Sequence, residues 1–188
     1  RDLIAQSFGG IICISSANDD DADLQRYREA GADFCFSKEE ATDVIAQQIN
    51  DRLGKCRRNK EEYKIDRDSL VSSGDTDNES VISTHEEAAP LVRPRVIFVD
   101  DDEIMRLLSQ DLLIRLNAAE DSAVLGKSLE EASSVVKHAL GLCDGGRPAD
   151  VVILDQHLDY RDGTSITGTE ICRDLIAQSF GGIICISS

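Results

Sequence analysis

Positive charge is scarce in this chain. It carries 20 Lys and Arg against 36 Asp and Glu, a formal net charge of −16. A surface that acidic repels nucleic-acid phosphates and anionic membranes, so neither is expected as a direct partner. It suits cations and basic partner surfaces instead. Long apolar runs are also missing: none approaches the ~20 residues a membrane span needs. No signal peptide is legible, and a cytoplasmic location is expected. Arg1 is not an initiator residue, so a preceding segment is expected. The six cysteines form no C-x-x-C pair, which argues against a zinc site. Cys13 and Cys35 lie in apolar, strand-like runs, where reduced core cysteines are expected. Neither a Walker loop nor the Rossmann glycine fingerprint occurs, so the common glycine-rich phosphate cradles are excluded.

What the chain does contain is a verbatim repeat. Residues 1–16 and 173–188 both read "RDLIAQSFGGIICISS". Between the copies the pattern alternates. "GGIICISS" is a short apolar run bounded by glycines and predicts a buried strand. "DDDADLQRYREAGA" has acids in its first turn and Gly31 near its end, as a helix wants. "DFCFSK" predicts a strand. "EEATDVIAQQINDRL" predicts an amphipathic helix with Val44, Ile45, Ile49 and Leu53 on one face. From Gly54 the character changes. Residues 68–90 hold six acids and no Lys or Arg, and 55–94 are predicted to form a flexible linker, too polar to offset its ordering entropy.

Alternation resumes at "RVIFVDDD", a buried strand running into acids. "EIMRLLSQDLLIRL" predicts a helix with Ile104, Leu108, Leu112 and Leu116 in one stripe. "DSAVLG" is a weak strand, "SLEEASSVVKHALGL" a helix, "ADVVILD" a strand ending in Asp155. "QHLDYRDGTSIT" reads as a loop and "GTEICRDLIAQSF" as a helix. Continuous apolar strands alternating with helices predict an α/β fold with a parallel sheet covered on both faces.

Ligands in such a sheet bind at the carboxyl ends of the strands. Asp100 and Asp101 follow one strand and Asp155 ends another, so these carboxylates are expected to meet. Three carboxylates in one crevice repel, and burial raises the cost of ionising them. A hard divalent cation resolves the conflict: Mg2+ takes a few carboxylates and keeps waters, leaving room for a phosphate oxygen. An aspartate so placed can act as a nucleophile toward phosphorus.

At these residues the sequence resembles a known family. "VIFVDDDEIMRLL" and "VVILDQHLDYRDG" are similar to the first and third strands of response-regulator receiver domains. "IICISSAND" and "YREAGADFCFSK" are similar to the family's fourth strand, fourth helix and fifth strand. The resemblance implies a flavodoxin-like, doubly wound, five-stranded parallel sheet of order 2-1-3-4-5 in the family's numbering. It implies phosphoryl acceptance from a histidine kinase or histidine phosphotransfer protein in a two-component phosphorelay. Asp155 matches the phosphoacceptor. Asp100 and Asp101 match the acidic pair that holds Mg2+ with Asp155, and His157 matches the position whose backbone carbonyl completes the metal shell. Ser16, and Ser188 in the second copy, match the hydroxyl residue that contacts the phosphoryl group. Lys38 matches the phosphate-pairing lysine, and Cys35 stands at the switch position usually held by an aromatic. Glu39 and Asp159 stand where prolines are typical, and the loop to Gly168 is longer than usual.

The family order is circularly permuted here. Residues 1–54 match the second half of a receiver, 55–94 are the linker, and 95–188 match the first half. A tandem array, a circular template read past its origin, and a permuted chain with overlapping ends would each give this pattern. One copy of the repeat is expected to fill the fourth-strand slot, the first being favoured by its connection to the next helix and strand; the other would dangle or pair with a neighbour, in a permuted monomer or a swapped dimer. A rival reading is a pseudo-receiver, a protein-interaction module with the same fold and no phosphoryl turnover. A related metal-dependent phosphatase would need a second aspartate where His157 stands. "HEEAAPL" at His85 resembles a histidine-kinase phosphorylation box, but no long helix follows it.

Overall fold

The computed structural model describes residues 11–16, 25, 34–37, 41–69, 93–143 and 146–187. The order of elements is β1 (Ile11–Ser16), β2 (Phe34–Ser37), α1 (Thr42–Ser69), β3 (Val96–Val99), α2 (Glu103–Arg115), β4 (Ala123–Leu125), α3 (Leu129–Ala139), β5 (Val151–Asp155), β6 (His157–Asp159), β7 (Ser165–Thr167), α4 (Gly168–Ala177) and β8 (Ile183–Ser187). The chain is α/β. Its main sheet is parallel, in the order β2-β1-β8-β5-β3-β4.

Alternate residues of each central strand point to opposite faces, and the sequence has apolar side chains ready for both. Ile97, Val99, Val152, Leu154, Ile184 and Ile186 face one core with Ala132 and Val135 of α3 and Ile171 and Leu175 of α4. Val96, Phe98, Val151, Ile153, Ile183 and Cys185 face the other, with Ile45, Ile49 and Leu53 of α1 and Leu112 of α2. Two-sided burial explains why these strands read as unbroken apolar runs rather than alternating ones.

Three expectations need correcting. The sheet has six strands, not five. Both copies of the repeat enter it side by side: β1 pairs with β8 in register, Ile11 opposite Ile183 and Ser15 opposite Ser187. The second copy, β8, takes the place beside β5, and the first lies outside it. A strand of identical sequence matches its twin on both faces at once, so pairing buries the surplus copy at no cost in register. Second, Cys13 and Cys185 are not reduced. That register sets them 4.2 Å apart at Cα, and a disulfide joins them.

Third, the linker does not begin at residue 55. Helix α1 continues through Ser69. "KCRRNKEEYKIDRD" is charged, but Lys, Arg and Glu, which make up most of it, are good helix formers. The remainder of the expected linker, 70–92, lies outside the described residues, as does the helix expected after Ser16 apart from Gln25. The predicted stripe on α2 is buried only at its far end. Leu112 and Leu116 are in the core, whereas Ile104 and Leu108 are 66% and 56% exposed. Among the described residues no helix is long and apolar enough to cross a membrane.

Candidate acidic site at the strand ends

Strands β3 and β5 are neighbours, with Val99 opposite Leu154. The next residue on each is Asp100 and Asp155, so the register itself brings their carboxylates together. One carboxylate oxygen each from Asp100, Asp101 and Asp155 lies within 4.8 Å of the others. Asp100 and Asp155 are buried, at 2% and 7% exposure, and Asp101 is half-buried. Three acids held this close at the carboxyl ends of two interior strands form a hard oxygen donor set that could hold a divalent cation such as Mg2+.

The backbone around the cluster is tightly specified. The Asp102 N–H donates to Asp100 Oδ1 at 2.9 Å. Arg106, one turn into α2, reaches back and donates through Nη1 to the carbonyls of Asp100 and Asp101 at 2.9 and 2.6 Å. Asp102 is not part of the cluster. Its Oδ1 accepts the N–H groups of Ile104 and Met105 and caps α2. Gly126, at φ 112°, passes so close to the Asp100 backbone that a Cβ there would overlap it. Gly168 opens α4 directly against the carbonyl of Asp155, and a Cβ would collide there too. These two glycines let neighbouring segments press on the acid-bearing strand ends.

The predicted loop after Asp155 is a β-hairpin. β6 pairs antiparallel with β7, His157 opposite Thr167 and Asp159 opposite Ser165. Leu158 anchors it in the core, and the Asp159 N–H donates to Asp101 Oδ2 at 3.1 Å. The His157 side chain is exposed, and the backbone N–H of His157 donates to Asp155 Oδ2 at 3.3 Å. Tyr160 follows β6. Burial above all, then the negative charges of Asp101, Glu131 and Asp100, pushes its phenol up to about 12, with Arg106 opposing. Nothing in a single sequence marks Tyr160 or Arg106 as part of this site; only the hairpin and the helix turn bring them there.

Asp100, Asp101 and Asp155 thus converge as expected. Ser16 does not join them: it ends β1, and β8 lies between β1 and β5. The residue opposite Asp155 in register is Ser187 of the second copy. Lys38 and Ser188 lie outside the described residues, and Cys35 sits on β2 at the sheet edge. No protein-family model, no curated protein and no solved structure matches this chain.

Proposed function

We propose that this chain is a phosphoryl-accepting receiver domain, with Asp155 as the acceptor and Asp100 and Asp101 as its cation-binding pair. The observation that carries the reading is the convergence of three carboxylates at the ends of two adjacent parallel strands. The strand order supports a flavodoxin-like frame: with β1 set aside it runs β4-β3-β5-β8-β2, equivalent to 2-1-3-4-5 in the family's numbering. The apolar side chains of Ile104, Leu107 and Leu108, exposed at the start of α2 beside the acids, suit a protein donor such as a histidine kinase or phosphotransfer protein.

In this reading Asp100, Asp101 and Asp155, with the His157 carbonyl, would hold Mg2+, which would supply neutralisation of charge on the phosphoryl oxygens. A carboxylate oxygen of Asp155 attacks phosphorus in line. The new O–P bond forms as the donor's N–P bond breaks, and the imidazole nitrogen keeps the electron pair. Arg106 fixes the backbone that carries the acidic pair. Acetyl phosphate with Mg2+ should therefore add one phosphoryl group, labile to alkali and hydroxylamine. Asp155→Asn should abolish labelling, since an amide is not a nucleophile, and Asp101→Asn should weaken it. Labelling that survives Asp155→Asn would sink the assignment.

A second reading is favoured by one observation. The extra strand puts β1, with Ser16, two strands from β5, and β2, which Lys38 follows, three. At about 4.8 Å per strand those are gaps of about 10 and 14 Å. A cluster that had to work from strands that far off would bind a cation and a protein partner but turn over no phosphate. Binding of Mg2+ with no labelling of the wild-type chain would select this pseudo-receiver.

A further inference from the structure

Tyr160 has a role to fill. Its ring packs against the core on the α3–α4 side of the sheet. Its hydroxyl is buried and makes no hydrogen bond among the described residues. Buried tyrosine hydroxyls usually find a partner, and one left without costs stability. The charges that act on it most are those of Asp101 and Glu131, then Arg106 and Asp100. Arg106 uses Nη1 on two backbone carbonyls. Glu131 is engaged through Oε2 with the N–H groups of Gly126 and Lys127, both at 3.1 Å. Asp101 is engaged through Oδ2 with the N–H of Asp159, the residue that precedes Tyr160. The hairpin therefore clasps Asp101 by its backbone at the residue next to Tyr160. Two further bonds close the turn that holds Tyr160: its N–H to Thr164 O and the Gly163 N–H to its own carbonyl, both 2.9 Å.

We propose that Tyr160 is a positioning residue for the cation site: when Asp101 ligates a divalent cation, the Tyr160 hydroxyl donates to the Asp101 carboxylate and fixes its orientation. The inference rests on the cation-binding reading of the acidic cluster. Carboxylates that ligate metals are themselves held by outer donors, and losing such a donor weakens metal binding by about 10- to 100-fold.

Tyr160→Phe tests it, because the ring and its packing are retained. Metal-free thermal unfolding in EDTA and Mg2+ titration by calorimetry are the two measurements. The variant should melt at the same temperature as the wild type or higher, since a partnerless hydroxyl is removed, and should bind Mg2+ about 10-fold more weakly. Glu131→Gln should leave Mg2+ affinity unchanged. Equal affinity in Tyr160→Phe and wild type overturns the proposal, whatever happens to melting. So does a Glu131→Gln variant that reproduces the loss, which would assign the hydroxyl to Glu131. A wild-type chain that binds no Mg2+ overturns the cation reading itself, and that is read before any variant is compared.

Discussion

At the scale of single residues, one buried cation ties several connections together. Arg95 is 5% exposed and precedes β3. Its guanidinium donates to the carbonyls of Asp121, His138 and Arg147 and lies 3.4 Å from the Asp121 carboxylate. It ties the β3 entry to the ends of two other connections, at the opposite end of the strand from the acids. Arg95→Ala strands three carbonyls. At about 1–3 kcal/mol for each group left buried, and with partial rescue by water, a loss of about 3 kcal/mol is expected in urea denaturation. Arg95→Lys should recover little, because one ammonium cannot fork across all three.

Cys172 shows burial acting on chemistry: it is fully buried, and its thiol is pushed from 9.0 up to about 11. The unfolded thiol ionises near 9.0, so the stability tied to the folded protonated form is complete below that pH and is lost as pH rises through about 11. Tyr160 acts in the same direction between 10.0 and about 12. Denaturation midpoints should fall from pH 9 upward, less steeply in Cys172→Ala. At neutral pH an alkylating reagent should modify the half-buried Cys143 while native Cys172 resists. Equal rates for the two thiols would contradict the burial of Cys172.

At the scale of elements, Asp102 caps a helix rather than joining the acidic cluster. It stands in the same acidic run as Asp100 and Asp101, yet its carboxylate is committed to two N–H groups of α2. Asp102→Ala should cost about 1 kcal/mol of stability and leave Mg2+ affinity unaltered. Asp101→Ala should do the reverse, and a chelator titration monitored beside thermal melting distinguishes them. The central strands and helices α2, α3 and α4 were legible in the sequence because continuous apolar runs and 3.6-residue stripes state their own burial. The β6–β7 hairpin was not. Its strands are three residues each, and only Leu158 of β6 is buried, so no period could show. The second half of α1 was hidden for the opposite reason: a charged run can be helix or coil, and local charge spacing alone does not decide it. The acidic triad was legible because strand ends in a parallel sheet converge by construction. Tyr160 and Arg106 were not, because their place depends on a turn and a helix phase.

At the scale of the whole molecule, the repeat decides the architecture. Two identical strands cannot both lie beside β5, and the sheet accommodates the surplus by pairing it with its twin. The pairing sets like residues side by side, and at one position the like residues are cysteines. Their disulfide spans 172 residues of chain. A cross-link acts chiefly by restricting the unfolded chain, and closing a loop of that length is worth about 5 kcal/mol in the chain-entropy account. It also fastens β1 to β8, near the other end of the chain, independently of the connection through 70–92. The intact protein should therefore weigh two hydrogens less than its reduced form, and tryptic mapping without reductant should recover the Cys13 and Cys185 peptides joined. Dithiothreitol, or Cys13→Ser, should lower the guanidinium midpoint by an amount equivalent to several kcal/mol. The loss should fall on β1 and β2, which lie outside β8, while Asp100, Asp101 and Asp155 are carried by β3 and β5 further in. Mg2+ affinity should then persist in the reduced protein. If reduction abolishes Mg2+ binding, the acidic site depends on the outer strands, and its assignment to the β3–β5 pair alone is wrong.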